Sequence, residues 1–128
     1  MFELTINGKV YPFNFGMGFM REINRDVGVP VDGLPDVKKN IGLRFHVAGI
    51  IDGDLESLVK VLDAANKNLN PRVAAADLDS FIDDPKTDID VLFAEVLDFL
   101  SNANATKKTV AEIQANVKKQ MEQQNGGK

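Results

Sequence analysis

The sequence predicts an α+β fold that is predominantly α, with an N-terminal β-hairpin packed on a bundle of about five to six helices. Apolar residues recur at spacings of three and four over most of the chain, which is the helical period. Alternation of apolar and polar residues is confined to the first fifteen residues. The length of 128 residues, with 44% hydrophobic and 27% charged residues, is that of one ordinary globular domain.

The hairpin is predicted from strands at about 2–6 and 10–15, joined by Asn7-Gly8. Both turn residues tolerate the positive φ of a type I′ turn, which makes this dipeptide a strong hairpin signal. Pro12 cannot donate a hydrogen bond to a neighbouring strand, so the second strand should lie at an edge.

A first helix is predicted at 17–27, followed by a loop at 31–35 and a second helix at about 35–51. The second half of 35–51 is apolar on nearly all sides, which is typical of a buried central helix. Gly42 and Gly49 lie on one face of it and would permit close backbone packing. A long apolar stretch with two glycines is also compatible with a strand, and helix is the preferred interpretation.

Three amphipathic helices follow. Asp52-Gly53-Asp54 provides a break and an N-cap for a helix that begins at Leu55. Asn70-Pro71 is interpreted as the N-cap and first position of a helix at about 71–83. Thr87-Asp88-Ile89-Asp90 begins the clearest helix, which Ser101-Asn102-Ala103-Asn104 interrupts. Residues 1–104 are therefore expected to form the folded helical body.

Residues 105–128 are expected to form a C-terminal helix and, from Gln123, a disordered end. The helix carries a narrow apolar line on a surface otherwise rich in Lys, Glu, Gln, Asn and Ala: Val110, Ile113, Val117 and Met121. A stripe one residue wide cannot cover much core and is closer to a coiled-coil seam or a partner-seeking helix.

The sequence predicts no catalytic, cofactor-binding or metal-binding site. There is no cysteine, and His46, the one histidine, lies in the most apolar segment, where a hydrogen-bonded structural role is expected. Gly16-Met17-Gly18 lacks the third glycine of a dinucleotide fingerprint. A calcium loop read from Asp84 would have Lys86 and Ile89 at positions that need a ligand and a glycine. The acidic cluster is instead expected to cap two helices: Asp83, Asp84, Asp88 and Asp90. The sequence favours a binding protein over an enzyme.

The net charge of −4 is unevenly distributed. Residues 52–98 carry twelve acidic and four basic side chains, whereas the chain from Asn104 onwards carries five lysines and two glutamates. An acidic body argues against nucleic acid as the main ligand, because phosphate binding requires a basic face. The alternative is a phage-encoded helical adaptor or regulatory protein that contacts nucleic acid through its basic tail. No signal peptide or membrane span is predicted.

The chain resembles the tail assembly chaperones of long, non-contractile-tailed (siphovirus-type) phages of Gram-positive bacteria. The resemblance covers about residues 1–105 and is one of overall pattern. It is carried by Met1 to Asn24, Asp32-Gly33-Leu34-Pro35-Asp36-Val37, Asp52-Gly53-Asp54-Leu55, Asn70-Pro71-Arg72-Val73, Ile82-Asp83-Asp84-Pro85, and Val96 to Asn104.

The resemblance implies a nonstructural protein of the host cell cytoplasm that binds the tape measure protein and keeps it soluble. Such a protein assists assembly of the tail tube protein around its client and is absent from the mature virion. It also implies a longer product of the same gene made by ribosomal frameshifting. Gly126-Gly127-Lys128 is compatible with a slippery codon run.

The apolar line on the last helix is the candidate partner-binding site, since a chaperone for a helical client needs exposed apolar surface. The site comprises Val110, Ile113, Val117 and Met121, with Lys107, Lys108, Lys118 and Lys119 around them. The alternative is that this helix only docks on the body or pairs with itself. A homo-oligomer, a ring or spiral around the client, is a second hypothesis, suggested by the hairpin edge and the charge asymmetry.

Overall fold

The computed structural model describes residues 1–126, with side chains described through Gln123. In chain order the elements are β1 (Phe2–Ile6), β2 (Lys9–Phe13), α1 (Met17–Asn24), β3 (Gly28–Val31), β4 (Leu34–Asn40), α2 (Gly42–Asp52), α3 (Leu55–Asn66), α4 (Ala75–Asp83), α5 (Ile89–Asn102) and α6 (Lys107–Gly126). The predicted fold class is confirmed: the chain is α+β and mainly helical.

The N-terminal hairpin forms as predicted. Strands β1 and β2 pair antiparallel, with Phe2 opposite Phe13 and Ile6 opposite Lys9. The turn between them has positive φ at both Asn7 (53°) and Gly8 (77°), as a type I′ turn requires. The second strand ends at Phe13, two residues earlier than predicted. Its outer side faces α3, because the backbone N–H of Asn14 donates to the carbonyl of Ala65 at 2.9 Å.

A second hairpin replaces the predicted loop at 31–35 and the first part of the helix predicted at 35–51. Strands β3 and β4 pair antiparallel around Asp32-Gly33, where Gly33 has φ +78°. The pairing contains an irregularity between Pro30 and Val31. All seven residues of β4 are exposed. None of them is buried in the core, as residues of a central helix would be. The helix prediction was therefore wrong for residues 35–41 and right from Gly42 onwards.

Helix α2 lies at the centre of the body and packs against α1, α3, α5 and α6. The predicted close approach at its glycines is confirmed. A Cβ added at Gly42 would lie 1.9 Å from the carbonyl oxygen of Ile23, and one at Gly49 would lie 2.1 Å from Oγ of Ser57. Neither position has room for a side chain. The glycines thus allow α2 to approach its neighbours closely.

Two of the predicted helix caps are confirmed. The side chain of Asp54 accepts a hydrogen bond from the backbone N–H of Glu56 at 3.3 Å, and Asp88 accepts one from Val91 at 3.1 Å. Each satisfies a backbone donor at a helix start that has no partner within the helix.

The predicted cap at Asn70-Pro71 was wrong, because α4 begins only at Ala75. The segment before α4 is held in a non-helical path by Asn66, which is fully buried. Its Nδ2 donates to the carbonyls of Pro12 (2.9 Å) and Pro71 (3.0 Å), and its Oδ1 accepts from the backbone N–H of Val73 at 2.7 Å. One side chain thereby connects β2, α3 and the approach to α4.

Substituting Gly42 with alanine is expected to lower the free energy of unfolding by at least about 2 kcal/mol, since the new methyl group would overlap backbone atoms of α1. Denaturant unfolding measures the change. Gly18→Ala is the matched control, because a Cβ at Gly18 meets nothing within 4 Å. That control should be neutral or stabilising. Equal effects of the two variants would contradict the close packing of α2 on α1.

Replacing Asn66 with aspartate is expected to cost about 3 kcal/mol or more, because a carboxylate would face two carbonyl oxygens without donors between them. Thermal and urea unfolding provide the measurement. Asn68→Asp makes the same chemical change two residues away on an exposed side chain and should alter stability by less than about 0.5 kcal/mol. A tolerated Asn66→Asp would refute the role assigned to this amide.

Candidate partner-binding surfaces

The apolar line predicted on the last helix is divided by the structure into a packed part and a free part. Val110 is 1% exposed and belongs to the core, and Ile113 is half-buried against it. Val117 is also half-buried, whereas Met121 is 59% exposed. The expectation that the whole line is free was therefore wrong at Val110. The four flanking lysines are exposed: Lys107, Lys108, Lys118 and Lys119.

The start of α6 is anchored to the body by polar as well as apolar contacts. The buried hydroxyl of Thr106 donates to the carbonyl of Leu100 at 2.6 Å, and Arg44 on α2 forms an ion pair with Glu112. Packing therefore continues past residue 104, where the sequence placed the end of the body. The last side chain of α6 that packs against the core is Ile113.

Beyond Ile113, α6 projects from the body. From Gln114 to Gln123 every side chain is exposed except that of Val117, which is half-buried. Thirteen further residues at about 1.5 Å each extend the helix by about 20 Å. The helix runs to Gly126, beyond Gln123 where disorder was predicted, and Gly127 and Lys128 lie outside the described residues.

An acidic groove lies between β1, α4 and α5 on another part of the body. Its volume is about 380 Å³. Apolar atoms come from four side chains, Leu4, Phe81, Val91 and Leu92, and three carboxylates line it as well, Asp84, Asp88 and Glu95. A hydrogen bond of 3.3 Å from Nδ2 of Asn7 to Asp77 ties the hairpin turn to α4 beside this groove.

Sequence reasoning missed the groove because it assigned the acidic residues 83–90 to helix capping. That assignment was partly right: Asp88 is the N-cap of α5, and Oδ1 of Asp84 accepts from the backbone N–H of Lys86 at 2.9 Å. Within residues 1–126 no group of His, Asp and Glu side chains is arranged to hold a metal ion. The sequence offers one partial hint, an apolar residue outside the stripe of Leu92, Val96 and Leu100: Val91, which the structure shows to be 49% exposed.

The second hairpin exposes apolar residues too. Leu34 is 52% and Val37 45% exposed, and the two-stranded sheet of β3 and β4 has no further strand paired to it in the described chain. Its base is fixed by the backbone N–H of Ile41, which donates to the carbonyl of Val27 at 2.8 Å. The sequence contained a signal for it, since Asp-Gly between apolar residues is typical of a hairpin turn.

Hydrogen bonds join four side chains, of which His46 on α2 and Ser57 on α3 are buried and the two at the ends are exposed: Asp26, His46, Ser57 and Asp54. Nε2 of His46 lies 2.7 Å from Asp26 Oδ2, and its Nδ1 lies 3.0 Å from Ser57 Oγ. Ser57 in turn donates to Asp54 Oδ2 at 3.1 Å. The predicted structural, hydrogen-bonded role of His46 is confirmed.

These hydrogen-bonded side chains include the residue types of a Ser-His-Asp catalytic triad, but the serine hydroxyl is not accessible to a substrate. Ser57 is 1% exposed, so a substrate cannot reach its hydroxyl in this conformation. Both ring nitrogens of His46 are already engaged, one with Ser57 and the other with Asp26. The arrangement links helices.

Asp26 lies at one end of this group of hydrogen-bonded side chains, and Asp54 lies at the other. The hydrogen bond from His46, with a further contribution from Lys60 Nζ at 3.6 Å, holds the pKa of the Asp26 carboxyl below its ordinary value of 3.8, against the opposing effect of burial. The folded state therefore favours the carboxylate form. The contribution of this carboxylate to the free energy of unfolding is present at pH values above 3.8. It is lost as the pH falls through the lower folded-state pKa.

None of the helices within residues 1–126 combines the length and apolarity needed to cross a membrane. The body carries a projecting apolar and basic helix end, an acidic groove and an exposed hairpin. These features define a small helical protein with several surfaces suited to protein partners.

Residues 3–114 match the family described as phage tail assembly chaperone protein, TAC. The match spans most of the chain, and the chain belongs to this family. No curated protein and no solved structure matches it. The prediction of a phage tail assembly chaperone is thus confirmed, and the match ends within one residue of the last packed side chain of α6.

Substituting Asp26 with asparagine is expected to lower the free energy of unfolding near neutral pH, because it removes the carboxylate that faces His46 and Lys60. The difference in free energy of unfolding between the variant and wild type should become smaller as the pH falls below about 3.8, because wild type then loses the stabilisation by the carboxylate as well. Urea unfolding at several pH values between about 7 and about 3 measures this.

The control for Asp26→Asn is Asp52→Asn, on an exposed side chain at the end of α2. It should shift the unfolding midpoint little at any pH. If the free energies of unfolding of Asp26→Asn and wild type differed by the same amount at every pH, packing and not charge would account for the effect.

Proposed function

We propose that this chain binds the tape measure protein, keeps it soluble and assists assembly of the tail tube protein around it. It acts without catalysis in the host cell cytoplasm and is absent from the mature virion. Family membership supports the general role in tail assembly. The observation that supports client binding is the free end of α6, which presents Val117 and Met121 beside lysines on a helix otherwise exposed to water.

The free end of α6 has the chemistry to bind a helical client. Val117 and Met121 are four residues apart and therefore lie on one side of the helix. A narrow stripe of this kind fits the seam of a coiled coil, in which each apolar side chain inserts between residues of the facing helix. Methionine adapts its shape to different partners, which suits a long client with many similar segments.

The free energy of unfolding of the body is expected to depend little on this end of the helix. Apolar packing of α6 ends at Ile113, and Met121 remains 59% exposed. Burying such a side chain against a partner contributes about 1–2 kcal/mol that folding alone does not obtain. Several weak contacts of this size along a long client would give binding that is reversible, as removal of the chaperone before virion completion requires.

The proposal extends to the phage type and to a second gene product. We assign the chain to a siphovirus-type phage of a Gram-positive host, with a longer frameshifted form of itself as a further partner. The resemblance of the sequence supports both. Reading the codons for Gly126-Gly127-Lys128 tests the second point, and a non-slippery run would contradict it.

The substitutions Val117→Asp and Met121→Asp together are expected to reduce co-purification of the tape measure protein at least about tenfold, because two carboxylates would replace the apolar stripe. The melting temperature of the chaperone should stay within about 2 °C of wild type. The measurement is pull-down from cells that co-express both proteins, with thermal unfolding of the purified variant.

The matched control is Asn116→Asp with Gln120→Asp, which adds the same charge to the same helix one residue away from the stripe. Its binding should resemble that of wild type. Equal loss in both variants would indicate a charge effect and contradict a role for the stripe. Salt-dependent DNA binding by the chain, without client solubilisation, would favour the nucleic-acid-associated alternative through the exposed lysines.

A further inference from the structure

The second hairpin, β3 and β4, has little support from the rest of the body. Within residues 1–126 its two strands pair with each other and with no third strand. They contact mainly each other, whereas β1 and β2 pack on α4 and α3. All of β4 is exposed to solvent. Because an isolated pair of strands is only marginally stable in water, a third strand would add stability as well as hydrogen bonds.

The pairing of β3 with β4 determines which backbone groups point outward. The backbone N–H of Ile41 donates to the carbonyl of Val27 at 2.8 Å, so these residues form a hydrogen-bonded pair at the base of the hairpin. Bonded and non-bonded pairs alternate along an antiparallel ladder. The next bonded pair is therefore Val29 with Lys39. The residues on either side of Lys39 direct their backbone groups away from β3.

The two outer edges of the hairpin differ. On β4 the N–H and C=O groups of Lys38 and Asn40 face outward, and both residues are exposed. On β3 the outward position opposite Lys38 is Pro30, which has no N–H to donate. Proline at a strand edge hinders pairing with a further strand. The hairpin is therefore blocked along β3 and open along β4.

The open edge is basic at the base of the hairpin. Lys38 and Lys39 are exposed, and neither has an ion-pair partner within residues 1–126. Val37 beside them is 45% exposed. The acidic residues of the hairpin lie toward the turn: Asp32 and Asp36. A strand with carboxylates beside the lysines and apolar side chains beside Val37 would match this edge, because opposite charges and apolar pairs stabilise neighbouring strands.

We infer that the outer edge of β4 binds an extended, acidic segment of another protein by strand addition. Main-chain hydrogen bonds provide the affinity in this mode of binding, and side chains provide the specificity. A second copy of β4 does not fit the same edge. Two such strands paired about an axis at Lys38 or Lys39 would place like charges directly opposite each other, which is destabilising.

This surface is separate from the one proposed for the tape measure protein, and the inference does not rest on that proposal. The proposed client contact is made by the end of α6 with a helix, whereas the edge of β4 requires an extended chain. One copy of the protein would thus hold two partners of different conformation at the same time. Loss of either contact leaves the other in place.

The test uses a short synthetic peptide in which valine alternates with glutamate, added to the isotope-labelled full chain. Hydrogen exchange of the backbone amides of Lys38 and Asn40, followed by NMR, should slow at least about tenfold at saturation, because these amides become donors to the added strand. The amide of Ile41, which already donates to Val27, should change little. Unchanged exchange at Lys38 and Asn40 would overturn the inference.

Lys38→Pro tests the role of the backbone from the side of the protein. It removes an outward N–H and leaves the bonded pair of Val29 with Lys39 in place, as Pro30 does on the other strand. The affinity for the peptide should fall at least about tenfold. Lys38→Ala is the matched control, because it removes the charge but keeps the N–H, and its affinity should fall no more than about threefold. Equal affinities of the two variants would overturn the inference.

An N-methylated peptide tests the same hydrogen bonds without altering the protein. Adjacent residues of a strand direct their amides to opposite edges, so N-methyl groups on two neighbouring residues block both edges of the peptide. This peptide should not slow amide exchange in wild type. Binding as tight as that of the unmethylated peptide would show that no strand is added.

The expected acidic character of the partner is tested with a peptide of alternating valine and lysine. It should bind wild type at least about tenfold more weakly than the glutamate peptide, and the order should reverse in the double variant Lys38→Glu with Lys39→Glu. Equal binding of the two peptides to wild type would refute an acidic partner. A DNA oligonucleotide that slows the same amides equally would indicate recognition of charge alone. Slowing in the chain by itself at rising concentration would place a second copy on the edge. Each of these last two results would also overturn the inference.

Discussion

The packing of α2 at the centre of four helices is the constraint on which the rest of the structure depends. The approach of α2 to α1 is so close that Gly42 has no room for a Cβ, and the buried His46 on the same helix is held by hydrogen bonds from both ring nitrogens. The first turns of α6 cover another side of α2, where Val110 enters the core. This contact determines which part of α6 is used for folding and where the free end of the helix begins.

Much of the fold could be predicted from local chemistry. Asn7-Gly8 specifies its turn without help from distant residues, and the carboxylates of Asp54 and Asp88 cap helices through bonds to residues two or three positions away. The second hairpin was missed although Asp32-Gly33 is a comparable signal. Pro35 and the apolar run that follows suggested a helix start, and the exposure of all of β4 depends on packing that a single sequence does not display.

The elements that escaped prediction depend on contacts between distant parts of the chain. No local pattern marks Asn66, yet its amide joins residues on either side of it, from Pro12 to Val73. The groove likewise combines β1 with α4 and α5, so that no local pattern contains it. In the candidate site, the sequence predicts a narrow apolar line but could not show that Val110 is buried while Met121 is exposed.

Helix α6 combines a packed first part and an exposed second part in one continuous helix. Up to Ile113 the apolar side chains contribute to the core, so substitutions there would change folding and binding together. Beyond it the helix continues with its backbone hydrogen bonds satisfied, and its side chains are available to partners at little cost to the body. The family match ends at residue 114, within one residue of this transition. A rigid extension anchored in the core also loses less conformational entropy on binding than a flexible tail would, because its helix is already formed. The anchored base would therefore lower the entropic cost of the client binding proposed for this end of the helix.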